Sequence, residues 1–164
     1  MKKTEEMIGL PIISIADGME IGNVKSLIVD TDDRKVSYFV VDRGMHLLGA
    51  KVIPSEGVLG IGEYAMTIEN EDAILTISKV PAAIQLLEKN IAVKGSKMLT
   101  ERGKMAGEVT EVYFDENDDC KIKGIEFMPL GSQQSVKFLP DKYVMTYGKQ
   151  LVIVYDSFES MASD

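Results

Sequence analysis

The residues of this chain with the most chemical promise lie in one acidic run. Asp115, Asn117 and Asp119 alternate, and Glu126 follows at the twelfth position counted from Asp115. Oxygen ligands at the first, third, fifth and twelfth places are the spacing of a calcium-binding EF-hand loop. Two features oppose that reading: Cys120 stands at the sixth position, where the loop needs glycine, and the flanking segments read as strands rather than helices. Calcium at Asp115, Asn117, Asp119 and Glu126 is therefore the minor expectation, and an acidic hairpin turn the main one.

The remaining candidates are weaker. His46 is the only histidine, so neither a multi-histidine metal site nor a histidine-centred triad follows from it. Cys120 is the only cysteine; its acidic neighbours disfavour the thiolate, and an inert structural thiol is expected. Gly44 to Lys51 approaches a phosphate-binding loop, but an alanine precedes the lysine and no Ser or Thr follows. Gly57, Gly60 and Gly62 reverse the order of the dinucleotide fingerprint and precede a strand. Both glycine groups read as turns. With no nucleophile–base pair and no multi-ligand metal constellation, the expectation is a protein that is not an enzyme and needs no cofactor.

Positioning these residues falls to strands. Asn23–Val29 and Lys35–Val41 are rich in β-branched and aromatic residues, and Asp30–Asp33 between them predicts a turn. Gly107–Phe114 and Cys120–Phe127 flank Asp115–Asp119 in the same way. Shorter strands are predicted at Ala50–Ile53, Tyr64–Ile68, Ser135–Leu139 and Gln150–Tyr155, with a closing strand at Ala73–Ile77. Pro81–Lys89 predicts a helix with Ser78 as its cap and Ile84, Leu87 and Ile91 on its packed face.

The two hairpins belong to a longer internal match. At a shift of 85 residues Gly18, Gly22, Val24 and Asp30 fall on Gly103, Gly107, Val109 and Asp115. After one residue gained in the acidic turn the shift is 86, and Ile53-Pro54 meets Leu139-Pro140. Glycines, a proline and apolar runs staying in register predict a tandem repeat. The expected organisation is a first unit over 5–78, a helical connector over 79–91, a second unit over 92–156, and a fraying tail over 157–164.

Leu10-Pro11-Ile12-Ile13-Ser14, Asp17-Gly18 through Gly22-x-Val24, Val29-Asp30 and Val52-Ile53-Pro54 resemble the PRC-barrel family. Arg102-Gly103 through Gly107-x-Val109, Phe114-Asp115 and Phe138-Leu139-Pro140 carry the same resemblance in the second half. It implies a mainly β fold, two small PRC-type β-barrels in tandem, used as adaptors. Similar proteins include the cytoplasmic domain of the photosynthetic reaction-centre H subunit and the C-terminal domain of the ribosome maturation factor. No catalytic residue is carried over from them.

A net charge of −8, spread over both halves, excludes a generic phosphate-backbone binder, so no direct nucleic-acid contact is expected. No run reaches the ~20 apolar residues of a membrane span, and no signal peptide is read at the start. The expectation is a cytoplasmic adaptor that docks a protein partner, with self-association left open. Met45, His46, Leu47 and Leu48 are its candidate contact patch. Association with the ribosome through a basic ribosomal protein is the alternative, and calcium binding the second alternative. The loop corresponding to the patch, Pro129–Gln134, is far more polar.

Overall fold

A computed structural model describes residues 1–42, 49–89, 91–132 and 135–164. The protein is mainly β, a curled sheet with a few short helices. The first half contains β1 (Lys2–Lys3), α1 (Thr4–Met7), β2 (Pro11–Ser14), β3 (Met19–Asp30), β4 (Lys35–Asp42), β5 (Lys51–Pro54), β6 (Val58–Ile61), β7 (Met66–Ile68) and β8 (Leu75–Thr76). Helix α2 (Pro81–Lys89) leads to β9 (Lys97–Thr100), β10 (Met105–Asp115), β11 (Lys121–Pro129), β12 (Lys137–Pro140), β13 (Val144–Tyr147), β14 (Leu151–Val154) and α3 (Phe158–Met161).

The halves pair their strands alike. β2 lies antiparallel to β3 and parallel to β7, as β9 does to β10 and β14. Register shifts at Val24/Ser26 and Val58/Gly60 recur at Val109/Glu111 and Val144/Thr146, the positions that shifts of 85 and 86 relate. Bulges of this kind bend a strand and increase its twist, which curls a short sheet around a core. Each half has such a core. One gathers Ile12, Val24, Phe39, Ile53, Met66 and Ile68; the other gathers Met98, Val109, Ile125, Phe127, Leu139 and Val152.

The acidic turns are built by their first aspartate. Asp30 Oδ1 accepts the N–H groups of Asp32 and Asp33, each at 3.0 Å. Asp115 Oδ1 accepts the N–H of Asn117 at 2.9 Å. The first turn closes with Arg34 in the left-handed region, and the second with both Asp119 and Cys120 there. That additional left-handed residue is the one gained when the shift moves from 85 to 86.

At these turns the halves meet. Lys35 pairs with Lys121, Val36 N–H donates to Cys120 O at 2.9 Å, and Ile122 N–H donates to Arg34 O at 2.9 Å. These positions are related by the shift of 86, so the contact is isologous: each half offers the same stretch of strand to the other. Core residues are exchanged across it. Phe114, fully buried, packs in the first half's core, and its counterpart Val29 packs against the second's as well as its own.

Arg34 ties the seam with side-chain bonds. Nη1 donates to Asp141 O and Asp141 Oδ1, both at 3.1 Å, and Nη2 donates to Met145 O at 2.9 Å. The guanidinium lies 5.1 Å from the Tyr147 ring centroid, and Tyr147 Oη donates to Asp141 Oδ1 at 2.7 Å. Arg34→Ala is expected to cost about 2–3 kcal/mol, because it strands a half-buried carboxylate and two carbonyls. Arg34→Lys should recover less than half, since an ammonium cannot reproduce the planar fork. Urea midpoints would measure both; a lysine variant as stable as the wild type would show that charge alone suffices.

Four sequence expectations differ from the structure. The packed face of α2 is Ala83 and Leu86, continuing from Ile77 and Val80, while Leu87 is exposed. Spacing by three and four also fits the 84–87–91 series, and only the neighbouring sheet face decides which series turns inward. Ser78 does not cap α2. It lies in a 3-10 turn, and the Val80 carbonyl accepts the N–H groups of Ala83 and Ile84. The strand expected at Ala73–Ile77 shrinks to β8, between two such turns. Within residues 157–164, expected to fray, Phe158–Met161 form α3, Phe158 is buried, and Ser163 pairs with Phe138. One aromatic anchor and two backbone hydrogen bonds outweigh the small polar composition there.

Candidate functional site

The acidic run divides on folding. Asp115 and Asn117 share the turn just described, while Asp119 pairs with Lys35 Nζ at 3.0 Å. Glu126 lies five residues into β11 from Lys121, roughly 17 Å along the strand. There it accepts from Thr110 Oγ1 at 2.9 Å and Tyr113 Oη at 3.3 Å, and pairs with Lys3 at 3.7 Å. The fold does not bring the four proposed calcium ligands to one point. Among the described residues no cluster of three His, Cys, Asp or Glu side chains could hold a metal ion.

Glu126 occupies the outer face of the second half, and on this face the halves differ. In the first half the equivalent face is apolar, with Ile28, Val40 and Val52 covered by α2. In the second half Tyr113, Glu126 and Phe138 take those places. Tyr113 and Phe138 meet edge to face at 5.3 Å, and Lys3 sits 5.7 Å from the Tyr113 centroid. The cover here is the chain's own start: β1 pairs with β10, Lys2 opposite Phe114 and Lys3 opposite Tyr113. Met7, a few residues on, is buried in the first core. The first seven residues thus strap the two halves together.

Beneath this strap lies Glu111, whose side chain is only 3% exposed. Thr4 Oγ1 and the Val112 N–H donate to its Oε1, and Lys94 Nζ donates to Oε2 at 3.4 Å. Burial alone would raise the carboxyl's pKa; the Thr4 and Val112 hydrogen bonds and the Lys94 charge outweigh it and hold the pKa below its ordinary value. A depressed carboxyl contributes stability above its unfolded pKa and loses it as pH falls through the folded one. Glu111→Gln is therefore expected to cost about 1–2 kcal/mol at pH 7, with the gap to wild type closing below the ordinary carboxylate range. Urea midpoints measured from pH 7 to pH 3 would show this; a gap constant with pH would mean that Glu111 is held for shape rather than charge.

Beside Glu111 is a groove of about 310 Å3 between the strap and the two long hairpins, lined by Thr4, Ile8, Leu27, Val29, Ile91 and Val112. A second cleft of about 330 Å3, lined by Ala106, Phe127, Pro129, Leu130 and Phe158, opens beside Met105. Leu130 is 69% exposed, so the loop that reads as the polar counterpart of residues 43–49 presents an apolar side chain of its own. The predicted contact patch Met45, His46, Leu47 and Leu48 lies outside the described residues. Leu59 and Tyr64, on and just after β6, are among the other large exposed apolar groups, with Ile8, Ile15 and Met19.

Cys120 is buried in the first half's core, and burial pushes its thiol up to about 11, with Lys35 opposing and Asp119 adding to the rise. Lys51, of the near phosphate loop, donates to Thr76 Oγ1 at 2.7 Å from within β5. Gly57, Gly60 and Gly62 fall in a 3-10 turn, in β6 and just after it. No helix among the described residues is long and apolar enough to cross a membrane.

The curled strands, the shared bulges and the late proline ending β5 describe a small barrel in the first half. A PRC-barrel domain matches residues 1–73. PRC-barrel domains serve as general protein-interaction modules. The match includes β1, the strand that crosses to the second half, and ends just before β8. No curated protein matches the chain.

Signals for the strap and the seam were weak in the sequence. Thr4 and Lys3 belong to a charged start like many others, and Arg34 is one arginine in an acidic turn. Glu111 is the exception. A carboxylate within the apolar run Val109–Phe114 marks a position that must find donors once buried.

Proposed function

We propose that this protein is a non-catalytic cytoplasmic adaptor that docks a protein partner. The observation that carries it is the PRC-barrel domain over residues 1–73, a module of protein interaction. We infer that residues 92–156 form a second barrel of the same type. The recurring strand pairing and bulge positions support this, as does the isologous seam. On this reading the seam, the strap and the exchanged Phe114 and Val29 fix the barrels into one rigid platform. A platform with few internal motions loses little entropy when it binds.

The residues proposed for contact are drawn from those the platform leaves exposed: Leu59 with Tyr64, and Leu130 with Met105, with Met45–Leu48 as the sequence-derived candidate. Affinity purification of the intact chain from native lysate is the test. Leu47→Asp/Leu48→Asp, Leu59→Lys/Tyr64→Lys and Leu130→Lys/Met105→Lys would be run beside the wild type. The expected result is a partner captured in stoichiometric amount and lost from one variant. Capture of no partner by the wild type would overturn the adaptor reading.

A further inference from the structure

The two terminal strands of the sheet, β6 and β13, are treated differently. Both carry a bulge at the same step, Val58/Gly60 in one and Val144/Thr146 in the other. In β13 the carbonyl of the bulged residue, Met145, accepts Arg34 Nη2 at 2.9 Å, and Asp141 O just upstream accepts Nη1. The guanidinium thus caps that edge. At the shift of 86, Met145 corresponds to Leu59 and Arg34 to Cys120. Cys120 is a buried, neutral thiol with no fork of donors to offer. Among the described residues, β6 pairs with β7 alone.

We propose that β6 is a docking edge that accepts an extended, basic strand from a partner protein, adding it to the sheet. The proposal deepens the adaptor reading and rests on it. Main-chain hydrogen bonds would supply register, and side chains on alternate residues the specificity. Leu59, 59% exposed, and Tyr64, 85% exposed, give the incoming strand apolar contact.

Charge selects the occupant. Glu63 follows β6, and Glu69 and Asp72 follow the strand it pairs with, while Glu56 ahead of β6 is shared with Lys35 at 4.0 Å. Not one Lys, Arg or His lies between Lys51 and Lys79. A second copy pairing β6 to β6 would set two such acidic stretches face to face, and a nucleic acid would bring phosphates to them. A strand alternating lysine or arginine with aliphatic residues meets both the charge and the apolar groups. The same acids discourage the self-association to which an open edge is prone.

The test uses the full chain, labelled with 15N, and two synthetic eight-residue peptides, one alternating lysine with valine and one alternating glutamate with valine. The lysine peptide is expected to shift and protect the amides of Val58–Ile61 and leave Val144–Tyr147 unchanged. Its affinity should fall roughly tenfold from 50 to 300 mM salt, and the glutamate peptide should not bind. Leu59→Pro should abolish the effect. Because proline can disturb β6 itself, Glu63→Lys/Glu69→Lys serves as a second variant, expected to weaken the lysine peptide at least fivefold.

Equal binding of both peptides, no binding of either, or perturbation centred away from residues 56–72 overturns the proposal. The adaptor reading fails separately. A partner captured by the full chain and retained by Leu59→Pro removes the edge and leaves the adaptor reading standing, whereas no captured partner removes the adaptor reading itself.

Discussion

Phe114→Ala is expected to destabilise the protein by about 3–5 kcal/mol and to loosen the half to which the residue does not belong. Phe114 lies on β10, yet its ring is fully buried in the core formed by Ile12, Val24, Phe39 and Ile53. Truncation would leave a ring-sized void in that core, which the surrounding strands can close only in part. Hydrogen exchange resolved by residue would locate the damage. Protection should fall in β2, β3, β4 and β7 as well as in β10. Loss confined to residues 92–156 would mean that the cores do not share the ring's stabilisation. The counterpart Val29 is smaller and half-buried, so Val29→Ala should cost less, about 1–2 kcal/mol. With anchors crossing in both directions, wild-type unfolding should be one cooperative transition, the same by fluorescence and by circular dichroism.

Gly107→Ala is expected to be nearly as severe, about 3 kcal/mol or more. A methyl group at this position would run into the Met128 carbonyl, with Met128 C at 3.1 Å and Pro129 Cα at 3.2 Å. These are backbone atoms of the neighbouring strand, where Gly107 pairs with Pro129 and Glu108 with Met128. They yield only if β10 and β11 separate. Gly103, the other glycine of the same motif, is the internal control. A methyl group there meets nothing within 4 Å, and the cost is only that of the left-handed φ of +88°, about 1 kcal/mol. Thermal melts of the two variants should differ accordingly. Equal losses would show that the motif is selected for its turn and not for the close approach of strands.

Strands and turns were largely legible along the chain. Val, Ile, Tyr and Phe in short runs set β3, β4, β10 and β11, because a pleated, half-buried surface suits their branched and flat side chains. Asp30 and Asp115 set the turns between them by bonding amides two residues on. The shift of 85 and then 86 matched the hairpins, and its one gained residue has a backbone meaning in the left-handed pair Asp119 and Cys120. The calcium-like spacing was legible too and misleads. Ligand spacing written for a helix–loop–helix carries Glu126 away along a strand at ~3.3 Å per residue.

What lies next to what was decided only by folding. Nothing near Lys2 and Lys3 tells that they pair with Phe114 and Tyr113, more than a hundred residues on. Nor does the acidic turn around Arg34 announce Asp141, Met145 and Tyr147 as its partners. Local patterns record which face of a strand is apolar, because that depends on the residue and its immediate neighbours. The choice of covering element is made among distant segments by shape and charge: α2 over the apolar face at Ile28, and the N-terminal strap over the polar one at Glu126. The same holds for the acidic run that opened the sequence. Its residues are what a cation site would use, and the tertiary structure gives them to Lys35, Lys3 and the turn itself.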